Sequence, residues 1–574
     1  MISSGWARGE LNPACMVDHP RQTTISFPRY LTRLLKEYDV DTVFGIVGIP
    51  IVEIADAFIA DGGIKFIGFR NEQAASYAAS AYGYLTGKPG VLLVVGGPGV
   101  VHALAGIYNA MSNRWPLIVF AGSSEDQYKG GFQELDQVSL LKPYVKFAAK
   151  LNSRNIDSVI YEATRRSLLG SKGVSYVDIA GDLISEELED KNPIAKAIPN
   201  IRYSPDPLVV DKVVRYLRQS LNKRILCVFG KGCVDASASL REFVTKFQIP
   251  FLPTPMAKGI IPDSHYLNVS SARSLALRTA DVVLVFGARL NWILHFGETP
   301  KWKSDATFIQ IDTSPEELGH NNIRGIDFAL CGDIGLTVQA LTKGLRGYRY
   351  SGLSKELESK VMLNERRLRD REEKSLSLKG RELNYNQVYA LMRMHINDKD
   401  TVMVTEGANT MDVARISFPE THPRSKLDAG TNATMGVGLG YAIAAKIANP
   451  SKTVICIEGD SAFGFSAMEL ETASRYKLGI VFVVMNNSGI YHGVPHDSKG
   501  FLPSTALSVE CRYDLLAQGL GCRGILINTL DELQDTFPQA LKSSYEGIST
   551  VFNVIIEPGE QKKISFGWQN KPKL

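Results

Sequence analysis

A chain of 574 residues is longer than one hydrophobic core can fill, so three or four domains are expected. Its 44% hydrophobic and 22% charged residues are ordinary for a soluble globular protein. A net charge of +4 is small for this length and gives no reason to expect nucleic-acid binding, and no apolar run approaches a membrane span.

Residues 1–26 mix Gly, Pro, charges and Cys without the apolar stretch of a secretory signal, and read as a leader. From 27 to 190, short apolar strands alternate with helical patterns, which predicts a parallel α/β sheet. The strand at 41–45 leads into a turn at Gly48-Ile49-Pro50. That at 65–69 ends at Arg70-Asn71-Glu72, where a helix of small residues begins. Strand 90–95 runs into Gly96-Gly97-Pro98-Gly99, and 116–121 into Gly122-Ser123-Ser124. The charged, proline-bearing stretch 186–206 reads as a linker. A second α/β unit, 206–345, has strands near Ile225–Phe229, Val282–Phe286 and 308–311. Residues 346–382 form a charged connector with helical spacing. A third unit, 383–560, has strands near 401–405, 454–457 and 480–485, and 561–574 are a tail. The fold class is therefore α/β, with three parallel-sheet domains. Seven scattered cysteines without a CxxC pair read as reduced, buried thiols of an intracellular compartment.

The strand at 454–457 stops at Glu458-Gly459-Asp460-Ser461-Ala462, which puts a carboxylate where α/β sheets bind ligands. A helix predicted over 466–474 would offer free N–H groups to an anion. The next strand ends at Asn486-Asn487-Ser488-Gly489. Either dipeptide alone is an ordinary turn. Together they set one anionic and one neutral oxygen on neighbouring strand ends. That suits a Mg²⁺ whose other ligands come from a diphosphate and water, and Gly489 lets a backbone carbonyl approach as a third ligand.

This pattern resembles the fingerprint of thiamine-diphosphate enzymes. The resemblance implies thiamine diphosphate and Mg²⁺ as cofactors, with Asp460, Asn487 and Gly489 on the metal and Gly48, Gly459, Ser461, Ala462 and Ile490 on the cofactor. Segment 70–79 is similar to the one that carries the family's activating glutamate, so Glu72 is expected to hydrogen-bond the aminopyrimidine. Its plainer reading is a first-turn glutamate favoured by the helix dipole. In the family this glutamate and the metal-diphosphate anchor, here Asp460 and Asn487, meet across a subunit interface, which implies a homodimer or homotetramer. Met435, among the glycines of 428–440, matches the residue that wedges the cofactor into a V shape, and is otherwise a core methionine. Asn409 lies in a segment similar to one that contacts the diphosphate end.

The resemblance runs from about residue 27 to the end. Segments 44–50, 287–292 and 487–491 are similar to the branch of 2-hydroxyacyl-CoA lyases and oxalyl-CoA decarboxylases, of the fungal peroxisomal type. The lyases cleave a 2-hydroxyacyl-CoA through the cofactor ylide into formyl-CoA and an aldehyde one carbon shorter. The decarboxylases release CO₂ from oxalyl-CoA and leave formyl-CoA. Where decarboxylases present Tyr and Glu, this chain has Phe132 and Gln133, a more neutral and apolar pair that favours the lyase. Glu72, Gln133, Tyr491 and Phe132 are thus the candidate catalytic residues. His492 departs from both patterns. The middle domain is expected to hold the CoA nucleotide through Lys258, Arg273, Arg289 and Asp312, each of which could instead be a surface charge. An acetohydroxyacid-synthase-like carboligase, which would carry a flavin, and a non-catalytic scaffold subunit remain as alternatives. Pro572-Lys573-Leu574 resembles a peroxisomal address, so an import receptor is an expected partner and the peroxisomal matrix the expected location.

Overall fold

The computed structural model describes residues 24–60, 63–124, 129–191, 197–322, 324–377, 382–494 and 502–559. Leader residues 1–23 and the tail with Pro572-Lys573-Leu574 lie outside the described residues.

Three parallel sheets carry the fold. The first has six strands in the spatial order Lys65–Gly68, Thr42–Gly45, Gly90–Val94, Leu117–Ser123, Val174–Ala180 and Phe147–Lys150. The second orders Phe251–Pro253, Ile225–Phe229, Val282–Phe286, Thr307–Asp312 and Leu330–Cys331. The third repeats the plan of the first: Lys426–Leu427, Thr401–Glu406, Thr453–Gly459, Val481–Asn486, Thr550–Ile555 and Arg523–Ile527. Runs such as Ile225–Phe229 are buried at every residue, as expected of strands covered by helices on both faces. Each sheet has its own core on one side. On the other, a common core reaches through all three.

In the first and third sheets the strand order reverses beside the second strand. This opens a crevice after Thr42–Gly45 and Gly90–Val94, and another after Thr401–Glu406 and Thr453–Gly459. The two sheets are joined by the helices Glu72–Thr86 and Gly438–Ala448, whose small residues allow close approach. A Cβ on Gly440 would lie 2.7 Å from the Ala74 carbonyl, so only glycine fits there.

Two details differ from expectation, the start of the chain and the helix after Asp460, while the charged connector follows it. A strand, Thr24–Ser26, lies within the expected leader and pairs antiparallel with Glu187–Glu189 inside the expected linker. The helix predicted over 466–474 is instead two, Asp460–Phe463 and Glu469–Arg475. The charged connector is a single helix, Lys355–Leu376. The six described cysteines are free thiols. No helix among the described residues is long and apolar enough to cross a membrane.

Candidate active site

Gly459 pairs with Met485 in parallel register, so Asp460 and Asn487 leave the third sheet from neighbouring strand ends. Asp460 is buried. It accepts the Ser461 N–H at 2.8 Å and the Gly489 N–H at 3.1 Å, and the second bond ties the two loops together. Burial pushes its carboxyl up to about 6, against the pull of those backbone donors. Asn487 donates from Nδ2 to the Tyr491 carbonyl at 3.1 Å, and Asn409 donates to the same carbonyl at 3.0 Å. Ser488 and Tyr491 both take left-handed backbone (φ +60°), a costly state for residues with side chains and one that functional loops often store. A Cβ on Gly493 would meet the Asn487 carbonyl at 2.3 Å. The loop is thus curled tightly, with Ile490 exposed at its tip.

The donors present fit a Mg²⁺–diphosphate. One carboxylate, an amide oxygen and a nearby carbonyl form a hard oxygen set that leaves positions for phosphate. Among the described residues no three His, Cys, Asp or Glu cluster as metal ligands, so this set carries a single negative charge. The buried hydroxyls of Thr405 and Ser466 have no hydrogen-bond partner in this region.

Behind the anchor, Glu406 and Glu458 stand opposite each other in register and are fully buried. Glu406 accepts the N–H of Gly436 with one oxygen and that of Gly438, at 2.6 Å, with the other. Burial raises Glu406 to about 7 and Glu458 well above the usual range, the latter further by the charge of its neighbour. Two carboxyls this close in a dry site do not both ionise at neutral pH. Met435, half-buried, directly precedes the turn they hold.

Glu72 opens its helix behind Asn71, whose side chain caps the N–H groups of Gln73 and Ala74. Its side chain is 14% exposed. One oxygen lies 3.2 Å from His102 Nδ1, and the other 3.7 Å from where a Gly99 Cβ would be. These neighbours belong to Glu72's own unit, not to the Asp460 anchor. Gly48 borders the same crevice, where a Cβ would strike Val95 at 2.8 Å. Gln133 has φ +54°, and its carbonyl packs on Gly97, whose N–H is accepted by Gln137 at 2.6 Å. Phe132 is 71% exposed. The structure therefore gathers Asp460, Asn487, Gly489, Asn409 and Tyr491 in one place, and Glu72, Gly48, Phe132 and Gln133 in another.

The strand ends of the second sheet open into a cavity of about 900 Å³, which Arg289 and Asp312 line. Eight Lys or Arg against four Asp make it electropositive. Lys231, half-buried, donates to Asn113 and Thr431, and Arg289 to the Ser112 carbonyl at 2.6 Å. Burial, then repulsion by Arg289, holds the Lys231 ammonium well below its usual range. Lys258 and Arg273 do not line this cavity. Lys258 is paired with Asp263 at 3.0 Å and donates to the carbonyls of Arg415 and Phe418, while Arg273 is bound to the Ile293 carbonyl.

Sequence reasoning missed His102, Glu406, Glu458, Gln137 and Lys231. Only Glu406 and Glu458 left a trace, as carboxylates directly before the glycines that end two strands.

Matches to family models cover all three units. The thiamine pyrophosphate enzyme N-terminal TPP binding domain matches 26–140, the central domain 210–341, and the C-terminal TPP binding domain 406–552. The chain belongs to the thiamine pyrophosphate enzymes, and its cofactor is thiamine diphosphate. It is 57% identical to the 2-hydroxyacyl-CoA lyase of Saccharomyces cerevisiae, over 96% of this chain and 100% of the yeast protein. It is 40% identical to 2-hydroxyacyl-CoA lyase 1 of Homo sapiens, over 96% and 98%. The oxalyl-CoA decarboxylase of Escherichia coli is 38% identical, over 92% and 94%.

Proposed function

We propose that the chain cleaves 2-hydroxyacyl-CoA to formyl-CoA and an aldehyde one carbon shorter. The observation that carries this reading is the end-to-end 57% identity to the yeast lyase, against 38% to the bacterial decarboxylase. Phe132 and Gln133 support it, since they make the pocket wall neutral and apolar, which suits an alkyl chain and a hydroxyl better than a second carboxylate. The reaction balances without a further reactant: the C1–C2 bond breaks, the hydroxyl loses its proton as C2 becomes the aldehyde, and C1 gains one.

In this reading the units 27–190, 206–345 and 383–560 hold the pyrimidine ring, the CoA nucleotide and the diphosphate. Thiamine diphosphate, when bound, supplies the nucleophilic carbon and the electron sink. Asp460, Asn487 and the Gly489 carbonyl hold its Mg²⁺. Gly459, Ser461, Ala462, Ile490 and Asn409 surround the diphosphate, and Gly48 lines the ring pocket. Met435 would be the residue that wedges the bound cofactor. Glu72 would hydrogen-bond the pyrimidine nitrogen through its carboxyl. Gln133 hydrogen-bonds the substrate hydroxyl, Phe132 packs the alkyl chain, and Tyr491 or its neighbour His492 orients the thioester.

The two clusters join when a second copy docks. Exposed Ile49 and Phe132 beside the first, and Phe465, Met468 and Ile490 beside the second, are the kind of apolar surface a partner covers. The assembly is thus a homodimer or a pair of them. The electropositive cavity at Arg289 and Asp312 takes the nucleotide end of the acyl-CoA.

One assay tests the reading. Purified protein with thiamine diphosphate and Mg²⁺ should release fatty aldehyde from 2-hydroxyacyl-CoA and turn over oxalyl-CoA slowly or not at all. Fast turnover of oxalyl-CoA alone would reverse the assignment. In the same assay Arg289→Ala should raise KM roughly tenfold or more with kcat unchanged, because it removes a charge-assisted contact made equally in ground and transition states. An unchanged KM, with a free adenine nucleotide still bound by the cavity, would give the cavity a ligand other than the substrate. The location proposed is the peroxisomal matrix, through Pro572-Lys573-Leu574; a fluorescent fusion carrying this tail that stays cytosolic would remove that part.

A further inference from the structure

Glu406 and Glu458 are buried ionisable groups that the chemistry above does not use. Both sit on the second and third of the six strands of the third sheet, near the ends of this pair and beside the crevice where the strand order reverses. Among the described residues no Lys or Arg pairs with either one. Burying two carboxyls without a cation is expensive, and a pair of apolar side chains would fill the same volume at less cost. What Glu406 gains in return is backbone. Its two oxygens take the N–H groups of Gly436 and Gly438, one each.

A planar group that grips two N–H groups two residues apart fixes the peptides between them in direction as well as distance. The turn has no slack. Gly436 has φ +83°, and a Cβ there would lie 2.9 Å from the Phe465 Cβ. A Cβ on Gly438 would fall 1.5 Å from a Glu458 oxygen and 3.0 Å from a Glu406 oxygen. Glu458 is therefore the wall against which the turn closes, and Glu406 is the clamp. Met435 is joined directly to the clamped segment. Helix Gly438–Ala448 starts at its other end and packs on the helix that begins at Glu72.

We propose that Glu406 is a positioning residue for catalysis: by holding Gly436 and Gly438 it sets the height of Met435, and so the bend in which thiamine diphosphate is bound. This rests on the reading of Met435 as the residue beneath the cofactor. It deepens that reading by naming what holds the wedge in place.

The test compares wild-type holoenzyme with Glu406→Gln, Met435→Ala and the double variant. Glutamine keeps the size but turns an amide N–H₂ toward one of the two donors. Affinity for thiamine diphosphate with Mg²⁺, followed by quenching of tryptophan fluorescence, should change less than about threefold in Glu406→Gln, because Asp460 and Asn487 are untouched. Its kcat should fall about tenfold or more with KM unchanged, the pattern of an interaction that acts only on the reacting geometry. The near-ultraviolet circular dichroism of the bound cofactor, which reports how its rings are held, should change. Met435→Ala should show the same pattern, and the double variant should be no worse than the more affected single one.

Additive losses, or a Glu406→Gln variant with wild-type dichroism and only a lower melting temperature, would overturn the proposal. If Glu406→Gln does not fold, Glu406→Asp, which keeps the charge but is too short to span both donors, is read by the same criteria. A wild-type protein that binds the cofactor but is inactive on 2-hydroxyacyl-CoA would remove the substrate assignment. It would leave the dichroism and affinity comparison to decide the role of Glu406.

Discussion

Glu72→Gln should lower kcat roughly 10²–10⁴-fold, the range a single acid–base group contributes, while barely moving the stability of the fold. The two readings of Glu72 predict opposite proportions. As a first-turn carboxylate favoured by the helix dipole it is worth about 0.3–1 kcal/mol to the helix and nothing to turnover. The helix start is already secured without it. Asn71 caps Gln73 and Ala74, and the backbone N–H of Arg70 is held by Glu469 at 3.2 Å. Glutamine keeps the shape of Glu72 and its approach to His102, but cannot donate and take back a proton at the carboxyl. Thermal unfolding and kcat measured on one preparation separate the readings. A variant that keeps more than a tenth of wild-type turnover would return Glu72 to a helix-start role.

How much of this was legible in the sequence depends on the range of the interaction. Strands Ile225–Phe229 and Val282–Phe286 appear at the residues expected, because a continuous apolar run between polar turns has one stable solution in a sheet covered on both faces. The anchor was legible for a related reason. Asp460 and Asn487 immediately follow strands, so local pattern alone places them on one sheet edge. Lys258 and Arg273 show the limit. A basic residue looks the same in sequence whether it awaits a phosphate or is spent on carbonyls, and the groups that hold Lys258, at Arg415 and Phe418, come from another unit. Glu406 and Glu458 were passed over because their meaning lies in strand register, which brings residues 52 positions apart side by side. The strand Thr24–Ser26 was lost to the leader because three residues carry no periodicity and its partner is just as short.

Asp460→Asn should abolish the stabilisation that Mg²⁺ and thiamine diphosphate give the protein, while leaving the cofactor-free form close to wild type. In the free protein two effects oppose. Removing the charge relieves the burial that pushes the carboxyl up to about 6. Against this, an amide N–H₂ facing either the Ser461 or the Gly489 N–H costs about 1–3 kcal/mol. With ligand, nothing offsets the loss of the only charged donor in the set. A cofactor present at a hundred times its Kd stabilises the wild type by about 2.7 kcal/mol, and that increment should vanish from the variant's melting temperature. The same variant tests where the site is built. Glu72 in this chain has His102 and Gly99, both of its own unit, as neighbours. If each site takes Glu72 from one subunit and Asp460 from the other, a mixed pair of Glu72→Gln and Asp460→Asn subunits contains one intact site and one doubly altered site. Two inactive proteins, refolded together in equal amounts, should then recover about a quarter of wild-type activity, because half the pairs are mixed and half their sites are whole. Sites completed within one chain would recover nothing.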